Sequence, residues 1–168
     1  TGNVYIGDDC MFGAAAGAPG NAGEDNFDVS QVLAGAPVPT GGSITINGPV
    51  ATGSFRAAAG TDLTAGAINA DAAIAIRAGG VLTTGDLVAG TIVTAQSGGN
   101  LQVGNATAGT SIDLNSGGNL VAGFLDAPLV GLTVAGDFTT GDLFVDNSLS
   151  LTAGGDLTAG NIFAGGDL

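Results

Sequence analysis

A 19-residue repeat limits the folds open to this chain more than any other feature. One apolar position, usually preceded by Asp or Asn, recurs six times, and the residue numbers of successive members differ by 19, 19, 19, 18 and 19. Its members are Leu63, Leu82, Leu101, Leu120, Phe138 and Leu157, and a glycine follows each of them three residues later. A period of about 20 residues that is kept along a chain indicates a solenoid, in which each period forms one coil.

Each period contains three short segments, and in each segment two apolar residues flank one other residue. In the coil that begins at Leu101 the pairs are Leu101 and Val103, Ala106 and Ala108, and Ile112 and Leu114. Alternation with period two is the sequence signal of a β-strand, and the glycines between the segments favour turns. The chain is therefore predicted to be all-β, a parallel, right-handed β-helix solenoid with three short strands in each 19-residue coil.

The single 18-residue interval, between Leu120 and Phe138, predicts an irregular coil. We place an insertion in residues 126–129 and a shortening by two residues in the corner at residues 134–137. Pro128 has no N–H with which to join a ladder of hydrogen bonds. A small β-bulge is therefore predicted at Pro128, as a structural irregularity rather than a binding site.

The repeat does not extend over the whole chain, which predicts two parts. Residues 43–46, Ser-Ile-Thr-Ile, match Ser-Leu-Ser-Leu at residues 148–151, so the solenoid is expected to span residues 42–168 in six to seven coils. Residues 1–41 do not repeat and contain three of the five prolines. Because solenoid ends expose apolar interior and unpaired strand edges, we interpret this segment as a cap or as a connector between subunits.

Both ends of the chain contribute candidate assembly residues. Leu168 falls where a third strand should begin, which predicts an unfinished last coil. A strand formed by Val4, Tyr5 and Ile6 is expected to cover that coil in a neighbouring subunit. The predicted partner is thus a second copy of the chain, in a homo-oligomer or a filament joined through the solenoid ends.

Charge and composition exclude several classes of function. The net charge of −13 repels the phosphates of nucleic acids and anionic membrane surfaces. No apolar run approaches the ~18 residues that a membrane helix needs. The chain lacks His and Lys, so His-dependent nucleophilic catalysis and His-ligated metal sites are excluded. We expect no enzyme activity and no catalytic residue; a carboxylate pair of the kind used by polysaccharide hydrolases is the remaining enzymatic alternative.

Nine Asp and Asn residues fall in two columns of the repeat, and a structural role as corner caps is the interpretation we favour. One column precedes the apolar position and contains Asp62, Asn100, Asn119, Asp137 and Asp156; the other lies four residues after that position and contains Asp86, Asn105, Asp142 and Asn161. Calcium is the only candidate cofactor, since oxygen ligands suit it. Its candidate ligands are Glu24, Asp25 and Asp28 in one acidic loop and the stacked pair Asp137 and Asp156.

Three segments carry a resemblance to a known family: Gly-Gly-Asn-Leu at 98–101, Gly-Asp-Phe-Thr-Thr-Gly-Asp-Leu at 136–143, and Leu-Thr-Ala-Gly-Gly-Asp-Leu-Thr-Ala-Gly at 151–160. They resemble the repeats of filamentous-haemagglutinin-type bacterial surface adhesins, over residues 43–168. The resemblance implies a large, exported, rod-like protein, extracellular or on the cell surface of a Gram-negative bacterium. It further implies a role in attachment or aggregation, with a host or neighbouring-cell surface as partner.

Fold and resemblance together favour an extracellular structural or adhesive solenoid. Six to seven coils at ~4.8 Å each make a rod only about 30 Å long, which is short for a stalk. The chain is therefore expected either to be a slice of a longer adhesin or to assemble end to end into a surface filament. The alternative function is a carbohydrate-binding or carbohydrate-cleaving β-helix.

Overall fold

The computed structural model of the protein describes residues 9–13 and 42–166. These residues form 19 β-strands and no helix. Every strand pair among them is parallel, and the strands stack into a β-solenoid of about six turns with three faces. The predicted all-β fold of stacked coils with parallel strands is confirmed. With no helix among the described residues, none of them lies in a helix that is long and apolar enough to cross a membrane.

The first face is a ladder of seven short strands, one for each coil. They are β2 (Ile44–Ile46), β5 (Leu63–Ala65), β8 (Leu82–Thr84), β11 (Leu101–Gln102), β14 (Leu120–Val121), β16 (Phe138–Thr139) and β18 (Leu157–Thr158). The recurring apolar position pairs with itself from coil to coil, for example Leu82 with Leu101 and Leu120 with Phe138. The 19-residue period of the sequence is therefore the circumference of one coil.

The second and third faces carry the other two strands of each coil. The second face consists of β3 (Val50–Thr52), β6 (Ile68–Ala70), β9 (Leu87–Ala89), β12 (Ala106–Ala108), the first parts of β15 (Leu125–Val134) and β17 (Leu143–Ala153), and β19 (Ile162–Ala164). The third face consists of β1 (Asp9–Gly13), β4 (Ser54–Ala59), β7 (Ile74–Ala78), β10 (Ile92–Ser97), β13 (Ser111–Ser116) and the remaining parts of β15 and β17. The two faces merge where β15 and β17 run through the corner between them.

The core is a set of apolar columns that run along the axis of the solenoid. Leu63, Leu82, Leu101, Leu120 and Phe138 form one column of fully buried side chains on the first face. On the third face Ile74, Val93 and Ile112 pair in register in a second column and are fully buried. Each such side chain contributes roughly 1.5–3 kcal/mol, so coils that could not fold alone stabilise one another by stacking.

The irregular coil lies where it was predicted, but residues 126–129 lack a residue instead of containing an additional one. The register of β15 against β17 shifts between Ala127 and Leu129. In the coil below, Gly109 and Thr110 separate the second strand from the third, whereas Pro128 alone does so here. Residues 126–129 therefore contain a deletion rather than an insertion, and the corner at residues 135–137 keeps three residues. Pro128 suits the one-residue corner because a missing N–H leaves no donor unpaired.

The sequence match between residues 43–46 and residues 148–151 does not reflect equivalent places in the coil, since residues 148–151 lie on the third face. Ile44–Ile46 pairs in register with Leu63–Ala65, so this segment is the first strand of its coil. The match with residues 148–151 misled because a polar-apolar-polar-apolar tetrapeptide fits an outward-inward alternation on any face.

Candidate functional site

Two rows of Asp and Asn side chains bind successive coils together on the outside of the rod. The first Asx row consists of Asp62, Asn100, Asn119, Asp137 and Asp156. The Oδ1 atom of each of the first four accepts a hydrogen bond from the backbone N–H one coil further on. The distances are 2.8 Å from Val81 to Asp62, 2.9 Å from Asn119 to Asn100, 2.9 Å from Asp137 to Asn119 and 3.0 Å from Asp156 to Asp137. The side chains thus cap corners, as predicted, but each caps the corner of the next coil rather than its own.

The second Asx row, Asp86, Asn105, Asp142 and Asn161, repeats this arrangement at another corner. The N–H of Asn105 donates to Asp86 at 2.8 Å, and the N–H of Phe124 donates to Asn105 at 3.1 Å. Asn161 donates to Asp142 Oδ1 twice, from its backbone at 2.8 Å and from its side-chain amide at 3.2 Å. Because these hydrogen bonds join each coil to the next, the Asx rows stabilise the stacking of coils along the rod.

The glycine before a row position makes room for this contact. A Cβ added to Gly118 or Gly155 would meet the Oδ1 atom of Asn100 or Asp137 in the coil below. In the second row, a Cβ on Gly123 would meet Asn105 Oδ1 in the same way. Of the glycines that the structure describes, only Gly42 and Gly48 have a positive φ. The recurring Gly-Asx-apolar phrase is therefore explained by close approach between coils.

Completing a gap in the first Asx row should stabilise the rod. Val81 interrupts the row, and Val81→Asn would place an acceptor beneath the N–H of Asn100, where Gly99 leaves space. We expect the free energy of unfolding in urea to rise by about 0.5–1.5 kcal/mol, the net value of one hydrogen bond. Val88→Asn is the matched control, since Val88 is similarly exposed but lies outside both rows. An equal gain in both variants would contradict the ladder mechanism.

The calcium candidates fall into two groups with different outcomes. Glu24, Asp25 and Asp28 lie outside the described residues. Asp137 and Asp156 do lie in adjacent coils, where the backbone of Asp156 donates to Asp137. Within residues 9–13 and 42–166, no group of three or more acidic or thiol side chains is placed to hold a metal ion. A calcium site at Asp137 and Asp156 stays a prediction.

A polar trench lies on the outer surface of the third face, and it was not predicted from the sequence. Thr94, Gln96, Asp113, Asn115, Thr133 and Ser150 line it around Gly131, and its volume is about 290 Å³. Gly131 leaves space in the trench because it has no side chain, and the Oδ1 atom of Asp113 lies close to where a Cβ of residue 131 would be. Asp113 is the only carboxylate among the lining residues, whereas glycoside hydrolysis uses two. Polar residues at outward positions of successive third strands were the signal for this surface.

Two phenylalanines stack on the outer surface of the second face. The rings of Phe144 and Phe163 are nearly parallel, with centroids 5.1 Å apart. Both side chains are largely exposed, and Asp146 borders the same shallow hollow. The pair gives this end of the rod a flat aromatic surface beside an acidic group.

The C-terminal end of the solenoid exposes residues from the core columns. Leu157 is 49% exposed and Ile162 is 42% exposed, whereas their equivalents one coil below, Phe138 and Leu143, are 0% and 1% exposed. The difference arises because no described strand covers β18 and β19. The candidate assembly residues Val4, Tyr5, Ile6 and Leu168 lie outside the part of the chain that the structure describes. The described strand nearest to Val4 is β1, which pairs with β4 at the opposite end.

No family model, no curated protein and no solved structure matches this chain. No matching family therefore supports the resemblance to filamentous-haemagglutinin-type adhesins. The fold, a parallel β-solenoid of about six turns, is therefore assigned from the geometry of the structure alone.

Proposed function

We propose that this protein is an extracellular structural or adhesive solenoid that extends into a surface filament by stacking end to end. The observation that carries the proposal is the open seventh coil, formed by β18 and β19. A further coil would bury Leu157 and Ile162 as completely as Phe138 and Leu143 are buried one coil below. Each fully buried apolar side chain contributes roughly 1.5–3 kcal/mol, so covering this end is strongly favoured.

A longer solenoid would satisfy the same open end through the next coil of its own chain. In both cases the function lies in the length and outer surface of a rigid rod. The acidic composition, with a net charge of −13, and the resemblance of the repeats to bacterial surface adhesins support an exported location on a Gram-negative cell. The partner in attachment would be a host or neighbouring-cell surface.

Electron microscopy of the isolated chain tests the stacking. In negative stain, we expect fibres one solenoid wide at about 0.15 M salt, where the Debye length of about 8 Å screens repulsion between acidic copies. Leu157→Asp combined with Ile162→Asp should abolish the fibres, because both charges would be buried without partners at each junction. Both side chains are exposed in the single copy, so the coils themselves should remain folded.

A control variant separates an effect at the end from an effect of added charge. Val88→Asp with Val121→Asp introduces the same two charges at exposed positions on the outer faces, away from the open coil. We expect this variant to form fibres as the unmodified chain does. Dispersed monomers of the unmodified chain at high concentration would contradict the proposal, and so would equal loss of fibres in both variants.

Carbohydrate binding is the second candidate function, and the polar trench on the third face favours it. Its hydroxyl and amide groups, from Thr94, Gln96, Asn115, Thr133 and Ser150, suit the hydroxyls of an uncharged glycan. A glycan array combined with a reducing-sugar assay separates this candidate from the structural one.

A further inference from the structure

The N-terminal end of the rod has a step on its third face. There β1 pairs with β4 in parallel, from Asp9 opposite Ser54 to Gly13 opposite Ala58. Among the described strands, the first and second faces begin with β2 and β3, one level higher along the axis. Of the strands that the structure describes here, those of the third face therefore extend one level further than those of the other two faces.

The C-terminal end has the complementary step. In the seventh coil β18 and β19 occupy the first and second faces, while the described part of the third face ends one level lower with β17. Leu151 in β17 is accordingly only half-buried, although Leu132, its partner in the coil below, is buried. Among the described strands, the third face is thus one strand shorter at this end than the other two faces.

We propose that β1 of a second copy supplies the third strand of the seventh coil, so that the junction is a composite coil built from two chains. This inference rests on the proposed end-to-end stacking and specifies how the two ends join. In residues 9–13 and 42–166, each of the three faces carries seven strand levels, and the third face is displaced by one level towards the N-terminal end. A copy shifted by seven levels, about 34 Å at ~4.8 Å per strand, therefore fills every level on all three faces.

The register of the strands supports this fit. On the third face, the column that contains Phe55 continues through successive coils to Leu149, and the column that contains Ala57 continues to Leu151. Since Cys10 pairs with Phe55 and Phe12 pairs with Ala57, the second copy brings Cys10 opposite Leu149 and Phe12 opposite Leu151. The added strand runs parallel to β17, as every other neighbour does, and adds ordinary ladder hydrogen bonds.

The first and second faces of the two copies meet at the same junction. Ile44 and Val50 of the second copy take the positions above Leu157 and Ile162, because they begin the columns that those residues end. On the second face the hydrogen-bonded Asx row stops at the junction, since the position above Asn161 is Pro49, which has no N–H to donate. Apolar burial and the backbone ladder, rather than the second Asx row, would therefore hold the two copies together.

A disulfide cross-link tests the composite coil directly. In the proposed junction Met11 of one copy lies opposite Ser150 of the other, since both belong to the column that contains Arg56. Neighbouring strands lie ~4.8 Å apart, within the range that a disulfide spans. Within a single chain the same two positions are six strand spacings apart, roughly 29 Å, so any disulfide between them must join two chains.

The variant carries Cys10→Ser, Met11→Cys and Ser150→Cys in the full chain. After mild oxidation under conditions that give fibres, we expect a ladder of covalent dimers, trimers and higher species on a non-reducing gel, and reductant should remove it. The control replaces Ser150→Cys with Thr94→Cys, which lies in the same column three coils inside the rod. It should give at least tenfold less cross-linked product. Far-UV circular dichroism checks that both variants are folded.

The outcomes distinguish the two proposals. Fibres without preferential cross-linking between positions 11 and 150 would overturn the composite coil and leave end-to-end stacking intact. The absence of both fibres and cross-links would overturn both proposals. Equal cross-linking in the end variant and its control would show random collision and would also overturn the composite coil.

Discussion

Replacing Phe138 with alanine should lower the free energy of unfolding by about 3–5 kcal/mol, the usual cost of removing a buried aromatic ring. Phe138 is fully buried in the first-face column, between Leu120 and Leu157. Its removal leaves a cavity in the middle of that column, and strands of two residues on this face have few other contacts with which to close it. The loss would be a large fraction of the stability of an ordinary domain.

Phe163→Ala is the matched control, one coil further along on the outer surface. Phe163 is 54% exposed and stacks on Phe144, so its removal should cost only about 0.5–1.5 kcal/mol, the value of an aromatic pair. Urea denaturation followed by circular dichroism measures both variants. Similar losses in the two would contradict the assignment of the recurring apolar position to the interior.

The sequence was sufficient to predict the fold because one column carries the pattern. The spacing between successive members of the column from Leu63 to Leu157 is the circumference of the coil, and each member pairs with the next in register. Apolar residues that recur at such a spacing can be buried together only if the periods stack. Because each period contains three segments of alternating apolar residues, each coil then has three strands and the solenoid has three faces.

The corner at which the irregular coil loses a residue could not be predicted in the same way. The 18-residue interval shows that one residue is missing from the circuit, but any of three corners could lack it. The structure places the deletion at Pro128, where one residue replaces Gly109 and Thr110 of the coil below. Counting residues between columns locates a defect only to within a coil, whereas backbone pairing assigns it to a corner.

For the Asx rows, the positions of the side chains could be predicted from the sequence, but their hydrogen-bond partners could not. The columns that contain Asn119 and Asn105 were evident in the sequence. The partner of each side chain was not, because Asx residues most often bond to backbone two residues further along, whereas here they reach a donor 18 or 19 residues away. The polar trench was missed for a different reason: it depends on Gly131, which lies in a column of the third face that shares no residue type from coil to coil.

Deleting one complete coil should leave a folded protein, whereas deleting half a coil should abolish folding. Removal of residues 101–119 takes out one whole repeat and joins Asn100 to Leu120. Leu120 then takes the place of Leu101 opposite Leu82, and every later residue keeps its face. Since each coil contacts only its neighbours, the cost should be about one coil-to-coil interface, and cooperative unfolding should persist.

Removal of residues 101–110 takes out only about half a repeat, yet its effect should be far larger. It joins Asn100 to Ser111, so that Ser111 would occupy the inward position of Leu101 and Ile112 the outward position of Gln102. A slip of this kind turns buried side chains towards solvent along the strand, and it also leaves two faces of that coil without strands. Circular dichroism and thermal unfolding should therefore show a folded 149-residue chain and an unfolded 158-residue chain. If the longer chain proved the more stable, the coil would not be the folding unit, and the 19-residue register would not be what holds this rod together.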